Sequence, residues 1–171
     1  MQNLEAIKIG IARSYDRAYK EYMELFGNEL EKYPYDRQLI DRLVNGLPQN
    51  ARVCDIGCGP TAYIGSYLLN KGANIYGIDI SVACIRNAKS MFPEMNLYVM
   101  DMMDTAFGDN FFDGLLSFYS IYHISKEYLL KVFLEYHRIL KPKGKVMLVT
   151  HKVVPTTLSD HMIQNCLSGT A

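Results

Sequence analysis

The stretch from Ala51 to Gly65, ARVCDIGCGPTAYIG, constrains this chain most. It reads as a short apolar strand carrying Val53 and Cys54 that ends on Asp55. A turn with Gly57 and Gly59 follows, and then the start of a helix. Such a unit makes a place where a small ligand touches bare backbone. The first glycine permits the tight turn, the second lets a ligand come close, and a helix N-terminus offers unpaired N–H groups.

From that point strands alternate with helices. Strand 1 spans Ala51–Asp55, with a helix over Ala62–Asn70 after it. Strand 2 spans Asn74–Ile78 and ends at Asp79. Ser81 caps a helix running to Met91. Strand 3 is Asn96–Met100 and strand 4 Phe112–Phe118. Ser125 caps a helix over Lys126–Leu140, and Pro142 and Gly144 turn the chain into strand 5, Lys145–Thr150. Alternation with short connections means parallel strands and right-handed crossovers, hence an α/β fold: a doubly wound, mainly parallel, Rossmann-like sheet with helices on both faces. Ligands of such sheets sit beyond the carboxyl ends of the strands. Asp55, Asp79, Asp101, Tyr119 and His151 all fall at or just past strand ends.

Ahead of the sheet, residues 3–31 read as a helix in which Tyr15, Tyr19 and Tyr22 recur at i, i+4 and i+7. That aromatic face either packs on the body or forms a lid over a ligand. After Pro34 a second helix, Tyr35–Leu47, turns Leu39, Ile40, Leu43 and Val44 inward. The chain is expected to be one domain: a helical cap over 1–48, an α/β core over 49–150 and a tail over 151–171, with a helix at Leu158–Leu167.

The 171 residues balance 18 basic against 18 acidic side chains. A zero net charge argues against a nucleic acid or an anionic membrane held by charge. The N-terminus lacks the apolar core of a signal peptide, and no stretch approaches the roughly 18 apolar residues of a membrane span. Four irregularly spaced cysteines make no disulfide framework, so a reducing, cytoplasmic setting is expected. Cys54 and Cys58 have no second pair at ligand spacing, and no metal is expected.

Gly57-Cys58-Gly59-Pro60-Thr61-Ala62, with an acid twenty residues past Gly59, satisfies the dinucleotide fingerprint formally. Two details oppose a pyrophosphate: the Asp55 carboxylate just before the turn, and Pro60, which removes an N–H donor. The same features suit a ligand with a cationic end. An NAD-binding oxidoreductase is therefore the remote alternative.

Tyr15-Asp-Arg-Ala-Tyr-Lys-Glu-Tyr22, Val53-Cys-Asp-Ile-Gly-Cys-Gly-Pro60, Gly77-Ile-Asp-Ile-Ser81, Phe111-Phe-Asp-Gly114, Ser120-Ile-Tyr-His123 and Arg138-Ile-Leu-Lys-Pro-Lys-Gly-Lys145 occur in this order. Together they resemble the class I S-adenosylmethionine-dependent methyltransferases, specifically the methyltransferase-domain proteins acting on small molecules. The resemblance implies strand order 3-2-1-4-5 and S-adenosyl-L-methionine as cofactor, with S-adenosyl-L-homocysteine as product. It implies that Gly57, Cys58 and Gly59 bed the methionine moiety, with Asp55 supporting its ammonium through water. Asp79 would take the ribose hydroxyls and Asp101 the adenine amine, while Met102 would offer its backbone N–H and apolar cover and Ile80 would sandwich the base. Phe118 and Tyr119 would border the methyl group, Tyr119 on the acceptor side, and Tyr15 and Tyr19 would close over the cofactor.

His123 is the candidate base, and His151 stands behind it. Phe118-Tyr-Ser-Ile121 lacks the Asn/Asp-Pro-Pro run of enzymes that methylate base amines, so a small molecule with an O or N nucleophile is the expected acceptor.

Two departures stand out. Thr61 occupies a position that is often glycine, and only 151–171 follow strand 5, with no room for the family's strands 6 and 7. C-terminal truncation would leave strand 5 (KVMLVT) as an open edge, covered by a second subunit or by the tail. It would also allow a protein that binds the cofactor but is catalytically impaired and acts through a partner.

Overall fold

The computed structural model describes residues 3–27 and 29–150. Its centre is a five-stranded sheet in the order β3-β2-β1-β4-β5, every neighbouring pair parallel. The strands are β1 (Arg52–Ile56), β2 (Asn74–Asp79), β3 (Asn96–Val99), β4 (Phe112–Phe118) and β5 (Leu140–Val149). The helices are α1 (Leu4–Phe26), α2 (Glu29–Lys32), α3 (Pro34–Asn45), α4 (Tyr63–Leu69), α5 (Val82–Met91) and α6 (Leu129–Ile139). Strand order reverses between β1 and β4, so the connections leaving their carboxyl ends run to opposite faces and open a crevice.

Burial on both faces explains why the strands read as apolar runs. Val53, Ile75, Leu97 and Leu116 pack with Ile40, Leu43, Ile64, Leu68 and Ile85 of α3, α4 and α5. On the other face Cys54, Ile56, Ile78 and Leu115 pack with Val132, Tyr136 and Ile139, one stripe of α6. The second face also holds a knot of rings, with Tyr76, Phe107 and Phe111 each within 5.3 Å of Phe112 or closer.

The helix starts follow local chemistry. Asn3 accepts from the Glu5 N–H to cap α1, and Ser81 accepts from the Cys84 N–H to cap α5. Pro34 begins α3 rather than breaking the chain before it, because a first-turn position needs no N–H.

Several boundaries differ from expectation. The helix read over 3–31 ends at Phe26, with Gly27 as its C-cap and a separate turn of helix at Glu29–Lys32. Ser125 caps no helix: two 3-10 turns, Ile121–His123 and Lys126–Tyr128, come first, and its side chain makes no capping bond. Leaving β4, the chain must turn tightly to bury Ile121 in the α6-side core before a regular helix can start. The chain also joins the sheet earlier than Lys145. Phe112 pairs with Leu140 and Gly114 with Lys145, so 141–144 bulge out opposite Asp113. Asp113 holds that bulge through Lys141 Nζ at 2.7 Å and holds β1 through the Arg52 N–H at 2.9 Å.

Among the described residues no strand pairs with the outer side of β5, where Val146 and Leu148 are 43% and 41% exposed. His151 and the expected tail helix lie outside the described residues.

The turns after β1 and β4 touch at one point. Gly57 has φ +77°, and a Cβ there would lie 2.4 Å from Ser120 Cβ. Gly57→Ala is expected to cost at least about 1–2 kcal/mol from the left-handed backbone alone, with the clash added, measured by urea denaturation.

Candidate functional site

The crevice at the carboxyl ends of β1, β2 and β4 is a cleft roofed by α1. The sheet side supplies Gly57, Gly59, Asp79, Ile80, Asp101 and Met102, and then Phe118, Tyr119 and His123. The roof supplies Lys8, Ile11, Tyr15 and Tyr22. The structure thus brings together nine of the positions singled out on the sheet, with Tyr15 from the helix. Asp55 and Cys58 stand behind the wall, and Tyr22 lines the cleft where Tyr19 was expected. Helix geometry accounts for the exchange: positions 8, 15 and 22 drift only about 20° per seven residues, whereas 19 lies about 40° round from 15. The heptad Lys8–Tyr15–Tyr22 was the available signal, and Lys8 is the site residue that sequence reasoning missed.

The glycine turn uses its N–H groups internally. Those of Gly57 and Cys58 both donate to the Ile78 carbonyl, at 2.8 and 3.0 Å. The Gly59 N–H donates to Asp79 Oδ2 at 3.0 Å, and Pro60 has none. A turn in that state is a poor host for a pyrophosphate. What it retains is bare backbone surface: at Gly59, with φ +65°, an added Cβ would meet nothing nearer than Tyr22 Cε1 at 3.9 Å. Thr61 neither caps α4 nor lines the cleft. It is 5% exposed, its Oγ1 has no partner, and its methyl group faces Gly27 beyond α1.

Asp79 Oδ1 accepts from the Ser81 N–H at 2.9 Å, so each carboxylate oxygen holds a backbone group at the cleft wall, with the Ile80 N–H adding to them. Burial raises its pKa against the pull of those bonds. Asp55, 2% exposed, is pushed up to about 7, first by burial and then by the Asp79 charge, while the Gly65 N–H acts the other way. Asp101 Oδ1 accepts from the Met103 N–H at 2.8 Å, and its Oδ2 pairs with Lys8 Nζ at 2.6 Å.

Two further contacts fix the roof. Asp16 Oδ1 accepts from Ser81 Oγ at 2.6 Å and from the Ala83 N–H at 2.9 Å, placing a carboxylate at the N-terminus of α5. The Tyr15 hydroxyl lies 2.7 Å from His123 Nε2, donating or accepting according to the imidazole tautomer. Burial lowers His123 to about 4, so the ring is neutral at neutral pH, and burial also raises Tyr15, which stays a phenol. The cleft beneath α1 holds about 70 Å³. Small-molecule sites occupy roughly 300–1,000 Å³, so α1 must give way for such a ligand to enter.

A family model described as "Methyltransferase domain" matches residues 54–148, more than half of the chain. The chain belongs to the methyltransferase-domain family. It is 31% identical over 149 residues to the biotin biosynthesis bifunctional protein BioHC of Saccharophagus degradans, covering 84% of this chain and 25% of that protein. It is 30% identical to the phosphoethanolamine N-methyltransferase of Plasmodium falciparum, over 61% of this chain and 41% of that one. A TehB-like SAM-dependent methyltransferase of Corynebacterium glutamicum shares the fold with a TM-score of 0.59 and 25% identity, over 72% of this chain and 68% of that one. A SAM-dependent methyltransferase of Methanosarcina mazei superposes with a TM-score of 0.59 at 24% identity, over 63% and 55%. The chain spans between a quarter and about half of the curated relatives it matches.

Membership of the family implies S-adenosylmethionine as cofactor, and the residues present fit it. An open glycine surface, paired acceptors on Asp79 and an acidic lining suit a ligand with hydroxyls, an amine and positive charge. No helix among the described residues is long and apolar enough to cross a membrane.

Asp55 and His123 titrate over overlapping ranges with opposite signs. The folded state binds the Asp55 proton more tightly than the unfolded chain, so this group's contribution is lost as pH rises from about 4 to 7. His123 binds its proton less tightly when folded, so its contribution grows as pH rises from about 4 to 6.5. Asp55→Asn removes the first slope. The melting midpoint of the variant relative to the native chain is expected to climb between pH 4.5 and 7.5, and a constant difference would show that Asp55 is not perturbed.

Proposed function

We propose that the protein transfers a methyl group from S-adenosylmethionine to an oxygen or nitrogen of a small molecule. One observation carries the choice of cofactor: the turn spends the N–H groups of residues 57, 58 and 59 inward, leaving no phosphate cradle between β1 and α4. Relatives named for biotin biosynthesis and phosphoethanolamine support a small acceptor. Three buried, unpaired cysteines support a reducing, cytoplasmic setting.

When bound, S-adenosylmethionine supplies a methyl group on a cationic sulfur, ready for direct displacement. The chain's own contribution is then positioning and exclusion of water. Gly57 and Gly59 give the methionine end a surface without side chains. Asp79 offers its carboxylate to the ribose hydroxyls, and Asp101 faces the purine amine. Phe118 and Tyr119 wall the side from which the acceptor approaches. His123, neutral and partnered by the Tyr15 hydroxyl, takes the proton that the acceptor loses. Because Tyr15 belongs to α1, closing the roof and completing this pair are one event.

Thermal denaturation with S-adenosylhomocysteine or NAD tests the reading through mass action. S-adenosylhomocysteine is expected to raise the midpoint and NAD to leave it unchanged; stabilisation by NAD alone would overturn the assignment. Titration calorimetry on Asp79→Ala should show affinity for S-adenosylhomocysteine weakened by about 1.5–3 kcal/mol, the value of hydrogen bonds to a charged acceptor.

A further inference from the structure

The side-chain amide of Asn87 joins three elements. From α5 its Nδ2 donates to the Pro60 carbonyl, in the turn after β1, at 2.9 Å. The same nitrogen lies 3.1 Å from Met23 Sδ in the roof helix and 3.5 Å from Met91 Sδ at the end of α5. A carbonyl only accepts, so the Pro60 contact fixes which end of the amide points there. The amide nitrogen carries two hydrogens. One serves Pro60, and the other is left to two thioethers, both weak acceptors. Met23 is the nearer and holds it.

Exposure separates the two sulfurs. Met91 is 46% exposed, the one exposed methionine among the described residues, whereas Met23 is half-buried. Cys54, Cys58 and Cys84 are buried, and burial pushes their thiols up, which suppresses the reactive thiolate. Hydrogen peroxide therefore finds Met91 the most open sulfur among the described residues. Its Sδ attacks one peroxide oxygen, the S–O bond forms as the O–O bond breaks, and the new S–OH gives its proton to the departing hydroxide. The thioether is oxidised by two electrons to a sulfoxide, and the peroxide is reduced to water. A polar S=O group then stands where a weak acceptor stood, beside the Asn87 amide.

We propose that Met91 is an oxidation site whose sulfoxide draws the second amide hydrogen of Asn87 away from Met23, unlatching the C-terminal part of the roof helix while the bond to Pro60 stays. Asp16 and Tyr15 still hold the middle of α1, so the loosening is confined to residues 19–27. Reduction of the sulfoxide returns the hydrogen to Met23. The inference concerns the free chain and does not depend on which cofactor the cleft takes.

Hydrogen–deuterium exchange of the free chain tests it, before and after dilute hydrogen peroxide, with peptide mass spectrometry locating the added oxygen. The native chain is expected to take up oxygen at Met91 and then to exchange roughly two- to tenfold faster over residues 19–27, the worth of one ordinary hydrogen bond. Residues 57–62 should keep their rate. Met91→Leu is expected to match the untreated native chain before and after peroxide. Met23→Leu, which lacks the roof's acceptor, should start at the faster rate and be moved no further. Methionine sulfoxide reductase should restore the slow rate, and dithiothreitol alone, which reverses thiol oxidation, should not. A native chain left unmodified at Met91, or modified there without faster exchange at 19–27, would overturn the proposal. So would equal acceleration in Met91→Leu, a Met23→Leu variant that starts at the native rate, acceleration that spreads to 57–62, or recovery with dithiothreitol alone.

Discussion

The carboxylate of Asp79 is the joint on which the site depends. It ends β2, holds the Gly59 N–H of the turn after β1 and holds the Ser81 N–H at the start of α5. Two crossover units of the sheet are thereby locked at their carboxyl ends by one side chain. Ser81 passes the connection on, capping α5 with its hydroxyl oxygen while donating to Asp16 of α1. Roof, turn and sheet edge are thus connected through a short chain of hydrogen bonds. Each of those bonds also satisfies a backbone or hydroxyl group that would otherwise be costly to bury.

The same arrangement concentrates negative charge. Asp55, Asp79 and Asp16 act on one another closely enough for Asp79 to raise Asp55 and for Asp16 to raise Asp79. Asp101 adds a fourth carboxylate, to which α1 supplies Lys8. Burying like charges costs free energy, and positive charge on a ligand offsets that cost on binding. A cofactor with a sulfonium and an ammonium meets this condition; a pyrophosphate would worsen it. Backbone bonding in the turn and electrostatics in the cleft thus favour the same ligand through separate physical terms.

Much of this was legible in the sequence because it rests on local rules. Apolar runs separated by Gly, Pro and Ser gave five strands, and β4 was placed at Phe112–Phe118 to the residue. Ser81 read as a cap because a hydroxyl before an apolar helical run has one obvious use. The acids at 79 and 101 were legible from their places after strands. What escaped depends on contacts between distant segments. The 3-10 turns after β4 follow from burying Ile121, and the bulge at 141–144 follows from Asp113 across the ladder; neither leaves a pattern within its own window. Tyr22 replaced Tyr19 because the roof's angle on the sheet, fixed by Asp16, selects which helical stripe faces down. Lys8 escaped because a single basic residue on a helix carries no local sign of the carboxylate after β3 that it meets.

Hydrogen–deuterium exchange with and without S-adenosylhomocysteine measures the central claim, that α1 closes over a cofactor held by the turn and by the acids after β2 and β3. Four separated segments are expected to gain protection together: residues 8–22 of α1, the turn at 57–62 and the strand ends at 79–84 and 101–103. Protection confined to another surface, or a ligand-bound protein whose α1 exchanges as fast as in the free chain, would contradict it.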